Sequence, residues 1–492
     1  MGADETLLAQ LNWHARPQDV TLSRHLAERI RELLIDGHLR GGDRLPSARV
    51  LAGALEVARG TVETAWDMLR AEGLIESRVG DGTRISHTAE LLRQPVAPSD
   101  AYVGPALSHR APPPAMDLPP AANILDLRPC RPATTLFPRS DWRRCLTLAA
   151  NAPPSPDYGC GRGDLSLREQ LCHYLRRRRG LRYTPQQIII TNGAVHAMHL
   201  ASRVLLGPGT TVAVENPGYP LARQVFSTTG ATIEEVPVDD EGLQVHTLAN
   251  GPIPTVVYVT PSHQFPTGER LSLRRRHALV TWCREHGALI VEDDYDGEFR
   301  YDVPPLSPLA AWPDAPVLYC GTFSKTMFPG LRIGFAAGHE ALIEAMADWR
   351  AISEYSPPTP TTAALAEFIA NGAFERHVER MRQHYAKLGR ALADTLAQTA
   401  PACSVTGLDA GLHAIIEPPQ PHAAADVSAA LHGQGVLLPT LCHYDGARAS
   451  TRDGLVAGFS ALSTAQITSL VTSLTKALAD CQRQQRHRPR AN

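Results

Sequence analysis

The sequence predicts an α/β protein in two parts: a small helical unit closed by a β-hairpin, then a large unit built on a mostly parallel sheet. Three observations carry this. Residues 18–88 place apolar side chains at helical spacing and end in a glycine-rich hairpin pattern. Residues 89–123 are rich in Pro and Ala, cannot propagate helix or sheet, and read as an extended linker. From 124 to 482, short β-branched runs alternate with helical stretches: "QIIIT" (187–191), "TVAVE" (211–215), "TVVYVT" (255–260), "ALIVED" (288–293) and "VLYCGT" (317–322). Such alternation predicts parallel strands covered by helices on both faces. Residues 483–492 read as a polar, frayed tail.

In the first zone, Leu26, Ile30, Leu33 and Leu34 share one face of a helix that Gly41 and Gly42 end. Pro46 and Ser47 then start a second helix. "ARGTVETAWDMLRAEGL" gives a third, with Val62, Trp66 and Leu69 on its apolar face. "LIESRVGDGTRIS" reads as two strands around Gly80-Asp81-Gly82. Three helices and a hairpin make a winged helix-turn-helix. Its ten arginines are matched by eleven acidic residues, so charge alone does not mark a nucleic-acid surface.

The bulk numbers set limits. At 492 residues two to four domains are expected, and 43% hydrophobic with 20% charged residues is the composition of a soluble globular chain. A net charge of −2 gives no global attraction to nucleic acid or membrane. The nine cysteines form no C-x-x-C pair, which reads as reduced thiols in a cytoplasm. No basic-then-apolar leader opens the sequence, and no apolar run reaches the roughly 18 residues that span a bilayer. His199, His263 and His443 have no partners at metal-ligand spacing, so no metal site is expected. "RRRR" (176–179) reads as the solvated end of a helix.

The chain holds only three lysines, Lys325, Lys387 and Lys476, against 45 arginines. Lys325 lies in "GTFSKTMFPGLRIGF" (321–335), between small hydroxyl residues and a Pro-Gly-x-Arg turn. A lysine amine forms a Schiff base with an aldehyde, as in the capture of pyridoxal phosphate (PLP), and arginine cannot replace it. The other parts of a PLP site have candidates. Asp293, or its neighbour Asp294, could hold the pyridine nitrogen, and Tyr295 the phenolic oxygen. Gly193, Ala194 and Val195 form a strand-to-helix turn suited to phosphate, and Thr322 and Arg332 add a hydroxyl and a guanidinium.

Two resemblances follow. "LPSAR", "ARGTV", "EGLI" and "GDGT" resemble the motifs of the GntR family in order, with Ala58 where that family has a capping Ser, a loss of roughly 1 kcal/mol. The resemblance implies a recognition helix from about residue 60 in a major groove of double-stranded operator DNA. Its contacts would come from Arg44, Ser47, Arg49, Arg59 and Thr61, with Arg78 and Arg84 in the wing. "LFPRSDWRR", "YGCGRGDLSLREQL", "ENPGY", "TPSHQFPTG" and "EDDYDGEFRY", with the lysine stretch, resemble fold type I PLP enzymes of the aspartate aminotransferase class. The fusion of the two resembles the MocR-type regulators. This implies Lys325 as the Schiff-base lysine, Asp293 and Tyr295 on the ring, Arg332 on the phosphate and Tyr219 stacked near the ring. Tyr158 would reach a partner subunit's phosphate in a homodimer.

Three positions depart from the aminotransferase pattern. Phe265 or Pro266 stands where an Asn usually contacts the cofactor's phenolic oxygen, leaving His263 or Gln264 to substitute. No arginine shortly precedes "GF" (458–459) to grip a carboxylate, the nearest being Arg452. Leu221 stands where regulators that respond to GABA carry an effector-binding Arg, with Arg223 two residues on. The expectation is a PLP-dependent regulator that senses PLP or an amino compound without sustained turnover; the competing one is a working aminotransferase with an appended DNA-binding domain.

Overall fold

The computed structural model describes residues 20–78, 82–89, 124–301, 307–449 and 452–487, with isolated positions before residue 20. The expected linker and the hairpin tip at 79–81 therefore lie largely outside the described residues. The chain divides into two units, Met1–His109 and Arg110–Asn492.

The first unit contains α1 (Leu22–Ile35), β1 (Arg44–Leu45), α2 (Ala48–Ala54), α3 (Arg59–Ala71), β2 (Ile75–Arg78) and β3 (Gly82–Ile85). Thr21 caps α1 and Ser47 caps α2 through side-chain oxygens that accept backbone N–H bonds. Ala58 begins α3 with no side-chain cap, as its methyl group dictates. All seven residues predicted for the apolar faces of α1 and α3 are buried in one core. β2 and β3 pair antiparallel, and β1 joins the other edge of β3, giving a three-stranded wing.

In the second unit the strands are β4 (Leu125–Asp126), β5 (Ile188–Thr191), β6 (Thr211–Asn216), β7 (Thr232–Asp239), β8 (Gly242–Leu243), β9 (Val256–Val259), β10 (Leu289–Asp294), β11 (Val317–Thr322), β12 (Gly334–Ala337), β13 (Ser404–Thr406), β14 (His413–Glu417), β15 (Val436–Leu437) and β16 (Leu455–Gly458). The α-helices are α4 (Arg139–Ala150), α5 (Leu165–Arg179), α6 (Ala194–Leu205), α7 (Pro220–Ser227), α8 (Leu273–His286), α9 (Glu340–Ser353), α10 (Thr359–Ala370), α11 (Ala373–Thr399), α12 (Ala424–His432) and α13 (Thr464–His487). The main sheet has the order β5-β12-β11-β10-β9-β6-β7-β8. Only β12 and the edge strand β8 run against the rest. The five β-branched runs read from the sequence are β5, β6, β9, β10 and β11. Their fully buried residues face two separate cores, one on each side of the sheet. A second sheet, β13-β14-β16, completes a smaller lobe. α13 continues to His487, past the expected boundary at 482.

The "RRRR" expectation needs correction at its last residue. Arg179 ends α5 buried, ion-paired with Asp294 and donating to the Gly297 carbonyl at 3.2 Å. Gly180 adopts a left-handed cap and turns the chain there. Arg177 and Arg178 do face solvent, where they pair with Glu375.

Candidate functional site

The site lies at the C-terminal ends of the parallel strands, where open α/β sheets place ligands. Alternation along β10 separates its three carboxylates. Glu292 and Asp294 point to one face. Glu292 accepts from the N–H groups of Leu309 and Ala310, both at 2.9 Å, and Asp294 accepts from Arg179 and from the Tyr319 hydroxyl at 2.5 Å. Asp293 points the other way. Its Oδ2 accepts from the Tyr258 hydroxyl at 2.9 Å, and its Oδ1 is buried with no partner. Burial pushes Asp293 up to about 6, against the Tyr258 hydrogen bond and the charge of Lys325. Both acids left open by the sequence keep one buried oxygen without a partner, and they differ in what they face: the charge of Lys325 acts on Asp293, whereas Asp294 lies on the other face against Arg179.

Lys325 sits half-buried in the turn after β11, and its charge acts on Asp293, Cys130 and His413. Thr322 ends β11; its hydroxyl donates to Ser324 Oγ at 3.1 Å and accepts from the Ser324 N–H at 3.2 Å, which shapes the turn.

At the end of β5, Gly193 has φ +91° and starts α6 with no side-chain cap. A Cβ there would lie 3.1 Å from the Arg332 guanidinium, so only glycine leaves this approach open. Arg332 donates to the Asn192 carbonyl at 2.6 Å and is otherwise exposed. The first turn of α6, at Ala194 and Val195, and this guanidinium stand on either side of Gly193, a donor set of the kind that suits an anion. Behind it, His196 Nδ1 accepts from the Asn192 N–H at 3.1 Å and Nε2 pairs with Glu354 at 2.6 Å. Burial lowers His196 to about 4 despite Glu354.

Tyr295 is buried, and its hydroxyl lies 3.0 Å from His263 Nδ1, which is 2.8 Å from Asp296 Oδ2. With hydrogen on Nδ1, His263 donates to Asp296 and leaves the Tyr295 proton for another acceptor. Burial, then Asp296, holds Tyr295 well above the usual phenol range. Gln264 is used by its neighbours, donating to the Pro217 carbonyl at 2.9 Å and accepting from the Thr267 hydroxyl at 2.7 Å. His263 is therefore the one of the two that reaches the ring partners. His263, Asp296 and His413 bring three potential metal ligands within 4.8 Å of one another, the one such group among the described residues. The His263 and Asp296 atoms already share hydrogen bonds.

Tyr219 stands edge-on to Phe265, with ring centroids 5.5 Å apart. Tyr158 does not join the site of its own chain. It is 73% exposed and stacks on Tyr355 with ring centroids 4.6 Å apart. The tertiary partners Tyr258, His263, His413, Cys130 and His196 carry no local signature; only the position of His263 before "PTG" hinted at one of them.

In the winged unit Arg44, Arg49 and Arg59 are exposed, and Arg59 pairs with Glu63 at 2.7 Å. Thr61 is partly exposed on the first turn of α3, and Ser47 is occupied as a cap. Arg84 is partly buried and donates to the Gly42 carbonyl at 2.9 Å, so it ties the wing to the loop before β1. The Arg78 side chain lies outside what the structure describes.

Residues 136–473 match the aminotransferase class I and II family, and residues 22–85 match the bacterial regulatory proteins of the gntR family. The pyridoxine biosynthesis transcriptional regulator PdxR of Corynebacterium glutamicum is 34% identical over 92% of this chain and 95% of its own. The chain belongs to the MocR-type regulators, which join a GntR helix-turn-helix to an aminotransferase class I and II domain. The probable rhizopine catabolism regulator MocR of Rhizobium meliloti is 35% identical over 76% of each chain. Among solved structures, kynurenine aminotransferase of Pyrococcus horikoshii, in complex with PMP, superposes with a TM-score of 0.67 at 26% identity. It covers 73% of this chain and 92% of that one. The curated relatives of this chain named above are transcriptional regulators, and no helix among the described residues is long and apolar enough to cross a membrane.

Proposed function

We propose that this chain is a cytoplasmic, PLP-dependent transcription regulator. As a homodimer, its winged helices bind a double-stranded DNA operator, and its aminotransferase-like unit reads PLP, or an amino compound captured on it, as the effector. The observation that carries this reading is Asp293: a buried carboxylate facing Lys325, with one oxygen bonded and the other waiting for a donor. A protonated pyridine nitrogen is such a donor. In this reading Lys325 captures the cofactor and Tyr295 donates to its phenolic oxygen. The Gly193, Ala194 and Val195 turn holds the phosphate with Arg332 and Thr322. Tyr219 flanks the ring, and the exposed Tyr158 extends to the partner subunit's phosphate. When bound, PLP supplies an aldehyde that captures primary amines. The PdxR relative, whose name ties it to pyridoxine biosynthesis, supports PLP itself as a signal.

The competing reading is a working aminotransferase. An enzyme of that class must orient the Cα–H bond by holding the substrate carboxylate. Arg452, the nearest candidate, is held by Glu417 at 2.7 Å, Glu269 at 3.0 Å and Thr406 at 2.8 Å. A sensor needs only different affinities in two states, so the observation favours sensing. Borohydride reduction of the yellow protein, followed by peptide mapping, tests the assignment. The cofactor is expected on Lys325; a label on Lys387 or Lys476, or a protein that takes up no PLP, would contradict it.

A further inference from the structure

The turn at Gly193 is held from behind by three residues joined in a ring. The Asn192 N–H donates to His196 Nδ1 at 3.1 Å, so Nδ1 carries the lone pair and Nε2 the hydrogen. His196 Nε2 lies 2.6 Å from Glu354 Oε1 and donates to it. The other oxygen of Glu354, Oε2, accepts from the Asn192 side-chain amide at 2.9 Å, which closes the ring. Burial lowers His196 to about 4 and keeps it neutral, as this order of donors requires. Glu354 is placed by α9. It caps that helix, its N–H donating to the Arg350 carbonyl at 2.9 Å, and it stands 162 positions from Asn192 in the sequence.

What the ring holds is the Asn192 carbonyl. That oxygen accepts from Arg332 Nη2 at 2.6 Å, and the rest of Arg332 is exposed. A guanidinium on a long, solvated stem has many rotamers, so the acceptor that holds it sets where its other N–H groups point. The backbone alone does not fix that acceptor, because the next residue is Gly193, which tolerates many conformations. Beyond the glycine, the Thr191 hydroxyl donates to the Gly193 carbonyl at 3.0 Å. Before it, the ring pins Asn192 through both its N–H and its side chain. Glu354 also faces a second guanidinium. Arg350 is fully buried, its Nε and Nη2 have no hydrogen-bond partner, and Nη2 lies 3.8 Å from Glu354 Oε2. The carboxylate thus offsets the Arg350 charge as well as holding Asn192.

We propose that Glu354 is a positioning residue of the phosphate site: through Asn192 it aims the Arg332 guanidinium at the anionic end of the cofactor. This rests on the PLP-dependent reading and adds to it a residue that acts only through Asn192 and Arg332.

The experiment compares two aldehydes on the full-length protein: PLP, and pyridoxal, which lacks the phosphate. The readout is the concentration of each that half-saturates the cofactor absorption band. Glu354→Gln keeps the shape of the side chain, but its amide N–H groups meet one of the two donors and open the ring. It is expected to weaken PLP binding by about tenfold, worth about 1.4 kcal/mol, and to change pyridoxal binding by less than about twofold. On a protein that already carries Arg332→Ala, Glu354→Gln is expected to add less than about twofold, as for two residues that act as a unit. Equal weakening of both aldehydes would make Glu354 a merely structural residue and overturn the inference. So would unchanged PLP affinity, or an undiminished loss on the Arg332→Ala protein. If losing the charge beside Arg350 unfolds Glu354→Gln, Asn192→Ala carries the test, since it cuts the link and leaves that charge in place. The same loss of PLP with pyridoxal spared is expected of it, and equal effects on the two aldehydes would overturn the inference. An unaltered protein that gives no band with either aldehyde fails the PLP-dependent reading and the inference with it, and this outcome is told apart because no variant is involved.

Discussion

In the winged unit, the arginines available to DNA stand in solvent on an apolar three-helix core; in the aminotransferase-like unit, ionisable groups lie inside the fold. Among the described residues, His25 is the only buried polar or charged side chain of the first unit, whereas the second buries Arg179, Asp293, Asp294, Glu215, His263 and His413 among others. The difference fits the partner proposed for each unit. DNA phosphates are contacted in water, where exposed guanidiniums suffice and rearrange cheaply. A small cofactor is oriented by fixed dipoles and charges in a low-dielectric site, and these require buried, partnered groups. Two ion pairs illustrate it: Arg59–Glu63 has its side chains 69% and 48% exposed, Arg179–Asp294 only 3% and 2%.

The largest expected effect is on the cofactor. Lys325→Ala should abolish covalent capture of PLP, and Lys325→Arg should do the same because a guanidinium forms no such imine; loss of the visible absorption band checks both. Next is the buried pair. Arg179→Ala leaves Asp294 inside without its cation and should destabilise the large unit by about 3–5 kcal/mol in urea unfolding. Glu63→Gln, at the exposed pair, should cost no more than about 0.5 kcal/mol. Similar costs for the two would contradict the difference between the buried and the exposed pair.

Asp293 gives a pH test. Its folded value of about 6 lies above its ordinary 3.8. The cofactor-free folded state therefore holds the proton more tightly than the unfolded chain. The penalty is absent below the ordinary value and grows as pH rises to the folded one. A gap of about two units is worth about 3 kcal/mol. Asp293→Asn should thus stabilise the PLP-free protein by up to about 3 kcal/mol at pH 8 and by nothing at pH 3, while weakening PLP binding. Denaturant midpoints at the two pH values decide it.

Smaller effects belong to the winged unit. Arg49→Ala or Arg59→Ala should weaken operator binding by about 1–3 kcal/mol where the side chain makes a bidentate base contact, or lower the salt slope by about one where it touches phosphate. Unchanged affinity in both at matched salt would remove α3 from the groove. The smallest change is a gain: Ala58→Ser should restore the missing cap of α3 and add about 1 kcal/mol to the stability of that unit.

The same contrast explains what could be read from the sequence. The buried parallel strands announced themselves as β-branched runs, and the helices of the winged unit as periodic apolar positions. β12, "GFAA", is too short and small-sided to announce itself, and β7 is half-exposed with mixed polarity. Lys325 and Arg332 were legible because local motifs surround them. Arg179 was not: beside three solvated arginines nothing local distinguishes the one that turns inward to meet a carboxylate 115 positions away. His263 and His413, 150 residues apart, meet through the folding of β14 against the loop after β9. Exposed function leaves its mark in short motifs, while buried function depends on tertiary partners that no window of sequence contains.

In the proposed regulator the cofactor unit sets the behaviour of the DNA-binding unit. Operator affinity of the full-length protein, measured with and without PLP at one salt concentration, tests it most directly. A change of about 5- to 150-fold is expected, the range of about 1–3 kcal/mol typical of coupled sites. Affinity indifferent to PLP, together with transamination of common amino donors at about 1 s⁻¹ or faster, would contradict it and mark the chain as an enzyme.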